Sequence, residues 1–179
     1  MYYAAVYASP IGQLTMSSDG EKLIGLWLAG QKYFGGTVPE APLPRESLPV
    51  FGRTKDWLDG YFAGEKPEIS QLPLAPSGSA FRQAVWKRLC QIPYGEVTTY
   101  GQLAKDVAAA LHKTSMSAQA VGGAVGHNPI SVIIPCHRVV GTGGSLTGYA
   151  GGIDKKIWLL THEGVAMDGL TTPARGTAL

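Results

Sequence analysis

The stretch Ile130-Ser131-Val132-Ile133-Ile134-Pro135-Cys136-His137-Arg138-Val139-Val140 sets a thiol, an imidazole and a guanidinium side by side within an apolar run. Polar, reactive side chains are unfavourable in such surroundings unless something compensates them. A nucleophilic cysteine on a short turn after a strand is one explanation. A thiol attacks as thiolate, and free cysteine titrates near about 8.5, so a base or a positive charge has to shift that balance. His137 is next in the chain. Neighbours in extended backbone point to opposite sides, so a bridging water between His137 and Cys136 is expected. His137 in turn needs an acceptor to orient it, as in a triad. The carboxylates of this half of the chain are Glu96, Asp106, Asp154 and Glu163. Glu163, at the end of the final helical pattern, is best placed, although spacing alone does not separate it from Glu96.

The second cysteine, Cys90, falls on the apolar face of a helical pattern with Phe81, Val85, Trp86 and Leu89, and reads as a structural thiol. Adjacent Cys136 and His137 with no further ligands at zinc spacing give no metal site. The glycine-rich stretches 141–145 and 148–152 lack the Lys-Ser/Thr pair and following helix of a phosphate loop, and could instead wall a pocket. No cofactor and no metal is expected.

Two regions must position these groups. Residues 2–8, 13–17 and 22–28 read as three strands of a small antiparallel sheet, with turns at Pro10-Ile11-Gly12 and Asp19-Gly20. A surface loop follows from Gln31 to Pro49, then a helix capped by Ser47 that runs to about Ala63. Pro67–Ser79 reads as a connection between domains, giving an N-terminal α/β scaffold over 1–75 and a mainly helical domain over 76–165. In the latter, Ser79 starts a helix to Cys90. Thr98 or Thr99 caps the next, to about Leu111, and Ser115 or Ser117 caps a third over 118–125. The last two, joined by a short turn, suggest a helix-turn-helix. Ala118, Ala120, Gly122, Gly123 and Ala124 make the third helix unusually small-sided. Each Gly weakens a helix by about 1 kcal/mol relative to Ala. Close helix packing or close approach to a nucleic-acid groove would each offset that. Asn128-Pro129 turns the chain into the cysteine strand, its Asn able to bond local backbone and fix the turn. Asp154 caps a last helix, 155–162, and residues 166–179 read as a disordered tail.

The net charge is +2, unevenly spread: residues 1–75 carry −2 and residues 76–165 carry +4. The basic half is the half with the Cys-His pair, which favours an anionic partner there. No apolar run reaches the roughly 18 residues of a membrane span. The opening Met1–Val6 lacks the pattern of a secretory signal, and two free thiols suit a reducing compartment. A cytoplasmic protein with no membrane partner is therefore expected.

Ile134-Pro135-Cys136-His137-Arg138-Val139-Val140 resembles the active-site signature of the O6-alkylguanine-DNA alkyltransferases, the methylated-DNA–protein-cysteine methyltransferases. Tyr94-Gly95-Glu96-Val97-Thr98-Thr99-Tyr100, Ala120-Val121-Gly122-Gly123-Ala124, Asn128-Pro129, Gly148-Tyr149 and Trp158–Gly164 resemble the same family. The likeness is close over about 80–165 and loose before it. It implies a ribonuclease-H-like N-terminal domain and a helix-turn-helix that binds the minor groove of double-stranded DNA, as a monomer. A damaged guanine would be flipped into the pocket, which is cheaper for a lesion that pairs poorly. By the same resemblance Cys136 accepts the alkyl group once, His137 acts through water as its base and Glu163 orients His137. Tyr100 assists the leaving guanine, and Asn128 fixes the turn before the nucleophile. Tyr149 and the backbone of Val139 and Ala150 line the base pocket, and Ser115, Ser117, Ala118, Gln119, Ala120, Gly122 and Gly123 meet DNA. O4-alkylthymine is a second candidate substrate. Gln119 stands where the family usually has an Arg inserted into the duplex, and the turn before it is longer than usual. The zinc site of some members is not expected with these cysteines. Two other readings compete: a non-catalytic lesion-binding protein, which the presence of Cys136 disfavours, and a cysteine hydrolase without DNA binding, which the helix-turn-helix disfavours.

Overall fold

The computed structural model describes residues 1–173 and divides into two compact units. The first comprises residues 1–77 together with 129–133; the second comprises 78–128 and the chain from 134 onward. The excursion of 129–133 departs from the continuous division expected between 75 and 76.

In the first unit, β1 (Tyr3–Ser9), β2 (Gly12–Ser18) and β3 (Leu23–Leu28) form the expected antiparallel meander. A fourth strand, β4 (Leu43–Pro44), pairs with β1 in parallel, so the sheet is mixed, in the order β3-β2-β1-β4. Strand β4 is invisible in the sequence, because a two-residue strand inside a Pro-rich loop carries no alternation. Every residue of β3 is buried. Its outer edge is occupied by short pieces: Leu23 exchanges hydrogen bonds with Pro73 and Ala75, and Leu26 with Pro129 and Ser131, all at 2.8–2.9 Å. Gly25 is small because the Trp27 ring folds back over it, where a Cβ would stand inside the ring. Helix α1 (Pro49–Phe62) packs Val50, Phe51, Thr54, Trp57, Leu58 and Tyr61 on the sheet at helical spacing. Ser47 does not cap it. Leu48 takes the cap position without a side-chain bond, and Pro49 opens the helix, where its missing N–H leaves nothing unsatisfied.

Residues Ile130–Ile134 are not a strand. Only Ile130 bridges to Leu26; the chain then turns with Val132 at φ 69°. The Ile133 N–H bonds the Ser131 carbonyl at 2.8 Å, closing a γ-turn around Val132. Positive φ is rare for a β-branched residue, so the apolar, β-branched composition that predicts a strand is overridden here. In the second unit the Cys136 N–H closes an inverse γ-turn on the Ile134 carbonyl, around Pro135 at φ −83°, ψ 64°.

The second unit holds α2 (Ala80–Leu89), α3 (Tyr100–Ala110), α4 (Ala118–Gly126) and α5 (Ile153–His162). Ser79, Thr99 and Ser117 each accept the backbone N–H three residues on, at 3.0–3.2 Å, settling the open choices of cap. Asp154 is not a cap: Gly152 precedes α5, and Asp154 lies in its first turn, a favourable end of the helix for a carboxylate. Helices α2, α3 and α4 pack on one another, and Trp86 donates through Nε1 to the Ala124 carbonyl at 2.9 Å, near the end of α4. A second, two-stranded sheet pairs β5 (Thr98–Thr99) with β6 (Val139–Val140) in parallel.

The expected disordered tail differs over its first residues. Thr171 bridges Ser145, exchanging hydrogen bonds with Gly144 and Leu146 at 2.8–2.9 Å. Met167 and Leu170 pack on Val140, Leu146 and Leu160. Scattered apolar residues in a polar stretch do not announce such a strap. Residues 174–179 of that expectation lie outside the described residues. Gly144 has φ 86°, and a Cβ there would overlap the Gly169 carbonyl oxygen. Gly144→Ala is therefore expected to detach the strap, lowering stability by about 1–3 kcal/mol in denaturant titrations and removing amide-exchange protection at Leu146 and Thr171.

Candidate active site

Three elements of the second unit converge on Cys136. The parallel pairing of Thr98 with Val139 and Thr99 with Val140 sets the start of α3 beside the end of the cysteine turn. That turn, Cys136–Arg138, is a single 3-10 turn with all three side chains buried. The inner face of α5 carries Lys156, Leu159, Leu160 and, one residue past its end, Glu163, a helical spacing of buried positions.

Glu163 is the centre of the polar network. Its Oε2 meets His137 Nε2 at 2.6 Å and Arg138 at 3.2 Å; its Oε1 accepts from Arg138 Nε at 2.7 Å and from the Gly95 N–H at 3.1 Å. Arg138 further donates to the Ile92 carbonyl at 2.7 Å and lies over the Tyr94 ring. This accounts for the Tyr94-Gly95 turn, whose amide faces the carboxylate. Glu96, the rival partner of His137, is exposed. Burial alone would raise the Glu163 carboxyl, but the hydrogen bonds and positive charge of His137 and Arg138 overturn that and hold it well below the usual carboxylate range.

With Nε2 given to Glu163, the nitrogen of His137 left to act as a base is Nδ1. It is buried and has no hydrogen-bond partner among the described residues. Burial lowers the His137 pKa, with Arg138 and Lys156 acting in the same direction against Glu163, so the ring is neutral at neutral pH. Burial pushes the Cys136 thiol up; a hydrogen bond from Asn128 and the charge of Lys156 pull it down. Asn128 also donates to the Ile134 carbonyl at 2.8 Å, so it holds both the turn around Pro135 and the thiol. The Tyr100 hydroxyl lies 3.1 Å from both the Thr147 and Gly148 carbonyls. Burial and the nearby Cys136 raise its pKa, so it keeps its proton. The Tyr149 ring stands edge-on to His137 at 6.5 Å, with a buried hydroxyl that has no partner among the described residues.

Cys136, His137, Glu163, Asn128, Tyr100, Tyr149 and Val139 thus lie in one network or border it, and Ala150 follows Tyr149 in a half-buried turn. Along α4 and the turn that leads into it the outcome divides. Ser115, Ser117, Ala118, Gln119 and Ala120 are exposed and Gly123 is half-buried with open space around it, but Gly122 is buried, against its expected place at a DNA surface. Gly122 and Ala124 face the helix core, so close helix packing, one of the two purposes the sequence left open, accounts for those two small residues. Two contributors are not apparent from sequence: Arg138, which the signature contains without a partner, and Lys156, fully buried on α5. The only signal for Lys156 is its position, seven residues before Glu163 on the apolar face.

Glu163→Gln leaves Arg138 buried without its counter-charge, and is expected to lower unfolding free energy by about 3–5 kcal/mol in denaturant titrations. Because the folded carboxyl titrates below its unfolded value of about 4.3, its contribution is present above that pH and is lost as pH falls. The acid-side decline in stability should accordingly be shallower in the variant.

Family models describing the 6-O-methylguanine DNA methyltransferase DNA-binding domain and ribonuclease-like domain match residues 80–165 and 1–76. A methylated-DNA–protein-cysteine methyltransferase of Haemophilus influenzae is 42% identical over 165 residues, covering 90% of this chain and 86% of that protein. One of Mycobacterium tuberculosis is 44% identical, covering 87% and 88%. The crystal structure of the M. tuberculosis O6-methylguanine methyltransferase matches with a TM-score of 0.78 at 40% identity over 98% of this chain and 97% of that one. The M. tuberculosis OGT structure in complex with DNA matches with a TM-score of 0.76 at 42% identity, over 90% and 91%. With the cysteine turn and its His-Glu pair in place, the chain belongs to the methylated-DNA–protein-cysteine methyltransferase family.

Proposed function

We propose that this protein repairs DNA by direct reversal, taking a methyl or small alkyl group from guanine O6 onto Cys136. The observation that carries this is the buried Cys136 beside a neutral His137 whose Nε2 is fixed on Glu163 and whose Nδ1 is unengaged. In the reaction the thiol proton passes to His137, through water. The sulfur attacks the alkyl carbon, an S–C bond forms, and the C–O6 bond breaks with its electron pair on the guanine. Tyr100, which keeps its proton, supplies a hydrogen bond or proton to the leaving base. One proton leaves the thiol and one is gained by guanine, so the sum balances. Glu163 stabilises the imidazolium that forms. The product is a thioether with no carbonyl for water to attack, so the protein acts once.

Residues 1–75 serve as scaffold and 76–165 as the DNA-binding and alkyl-acceptor domain. The surface that fits a minor groove is Ala118, Gln119, Ala120 and Gly123 of α4 with Ser117 at its cap and Ser115 in the turn before it, exposed or half-exposed. The base enters against Tyr149 and the backbone of Val139 and Ala150. The protein works as a monomer in the cytoplasm; no helix among the described residues is long and apolar enough to cross a membrane.

Incubation with an O6-methylguanine duplex should add one methyl to the peptide containing Cys136, and none in Cys136→Ser. DNA binding without added mass would instead indicate a lesion-binding protein. Gln119 brings no charge to the duplex, so Gln119→Arg is expected to tighten duplex binding and to steepen its salt dependence by about one counterion. Equal affinity and equal repair rate in the two proteins would remove Gln119 from the DNA surface.

A further inference from the structure

Lys156 is a buried charge that the alkyl transfer above leaves unused. It has no exposed surface, although an ammonium is costly to bury without partners. Its Nζ donates to the carbonyl of Val139, the first residue after the cysteine turn, and to the carbonyl of Thr147 at 3.0 Å. The Tyr100 hydroxyl meets the same Thr147 carbonyl, and Nζ lies 6.0 Å from the centre of the Tyr100 ring. One side chain from α5 thus joins the strand that follows the nucleophile to the loop that carries Tyr149, beside Tyr100.

The charge also reaches the reacting groups. The ammonium favours the thiolate of Cys136 and opposes protonation of His137. Burial lowers the Lys156 pKa to about 8 while Cys136 acts in the opposite direction, so Lys156 is charged at neutral pH and loses its charge as pH rises past that value. The titratable groups interacting with it are Cys136 and His137 from the cysteine turn and Tyr100 from α3; Glu163 and Arg138 are paired with each other. The two carbonyl bonds offset part of the cost of burying the ammonium, and an apolar side chain of the same length would leave both carbonyls without that donor.

We infer that Lys156 is a positioning residue for the alkyl transfer: it fixes the Val139 and Thr147 carbonyls at the border of the base pocket, and its ammonium is the positive charge that stabilises Cys136 as thiolate. This rests on the alkyl-transfer reading. Lys156 neither gives nor takes a proton; the thiol proton goes to His137 as before.

The test is made in a Cys90→Ser background, so that ultraviolet thiolate absorbance reports Cys136 alone after subtraction of the Cys90→Ser/Cys136→Ser spectrum. Lys156→Met should raise the thiolate midpoint by about one pH unit, a tenfold loss of thiolate at fixed pH, and slow single-turnover methyl transfer about tenfold, with duplex affinity unchanged. Lys156→Arg, which keeps the charge, should retain the wild-type midpoint. An unchanged midpoint in Lys156→Met overturns the inference, as does a shift in Lys156→Arg as large as in Lys156→Met. Should Lys156→Met fail to fold, Lys156→Gln, which loses the charge and keeps an amide donor, carries the same comparison. If the Lys156-containing protein takes no methyl from the duplex, the alkyl-transfer reading fails, and the thiolate titration still decides the role of Lys156.

Discussion

A carboxylate shut away from water governs the geometry of the second unit. Glu163 accepts hydrogen bonds from His137, from two nitrogens of Arg138 and from the Gly95 amide, so donors from two separate segments, the cysteine turn and the Tyr94-Gly95 turn, are set by one group. Removing charges from water is costly, and a buried pair is tolerable only where the remaining donors and acceptors are also met. Here they are met by the Ile92 carbonyl and the Tyr94 ring. The arrangement adds little certain stability over an apolar equivalent. What it provides is a single orientation: His137 has its Nε2 tethered, so its proton sits on that nitrogen and its lone pair on the other.

The second constraint is in the backbone. Two tight turns, around Val132 and Pro135, replace the strand that an apolar, β-branched run would otherwise form. Val132 at φ 69° is held in a conformation that costs of order 1–3 kcal/mol and persists where surroundings over-determine it. Pro135, by contrast, adopts its inverse γ-turn at ordinary φ. Asn128 steadies that second turn, bonding the Ile134 carbonyl and the thiol together. The cysteine is thus held by one side chain at its backbone and at its sulfur.

What was legible in the sequence follows from this division between local and tertiary causes. Ser79 was readable as a cap, and Thr99 and Ser117 each as one of two candidates, because capping is largely a local matter; Ser47 and Asp154 show the same local reading failing where Leu48 and Gly152 take the cap position. The first three strands were readable from turns and alternation, and Glu163 was the better placed of two candidate carboxylates from its position at the end of an amphipathic helix. The strand predicted at 130–134 failed because tertiary hydrogen bonds, not propensity, decide that segment. Glu163 and Glu96 could not be separated without the fold, since nothing in spacing says which carboxylate faces inward. Lys156 is hidden in the sequence although its register is visible, because a lysine on a helix is ordinarily a solvated one. The family resemblance puts Gly122 at a DNA surface, whereas the packing of α4 turns it inward.

The loan of Pro129–Ile133 to the first unit has a consequence for taking the chain apart. The wholly buried strand Leu23–Leu28 has its outer edge closed at Leu26 by the Pro129 carbonyl and the Ser131 amide, residues that a cut after Ser77 would leave on the other fragment. An isolated N-terminal piece would carry an apolar strand with part of its edge bare, the kind of edge that recruits another chain. The complementary piece would keep a strained γ-turn without the sheet that holds Ile130. Although two family descriptions divide the polypeptide near residue 77, its hydrogen bonds make it indivisible there, and a fragment that keeps the first unit whole must reach past Ile133.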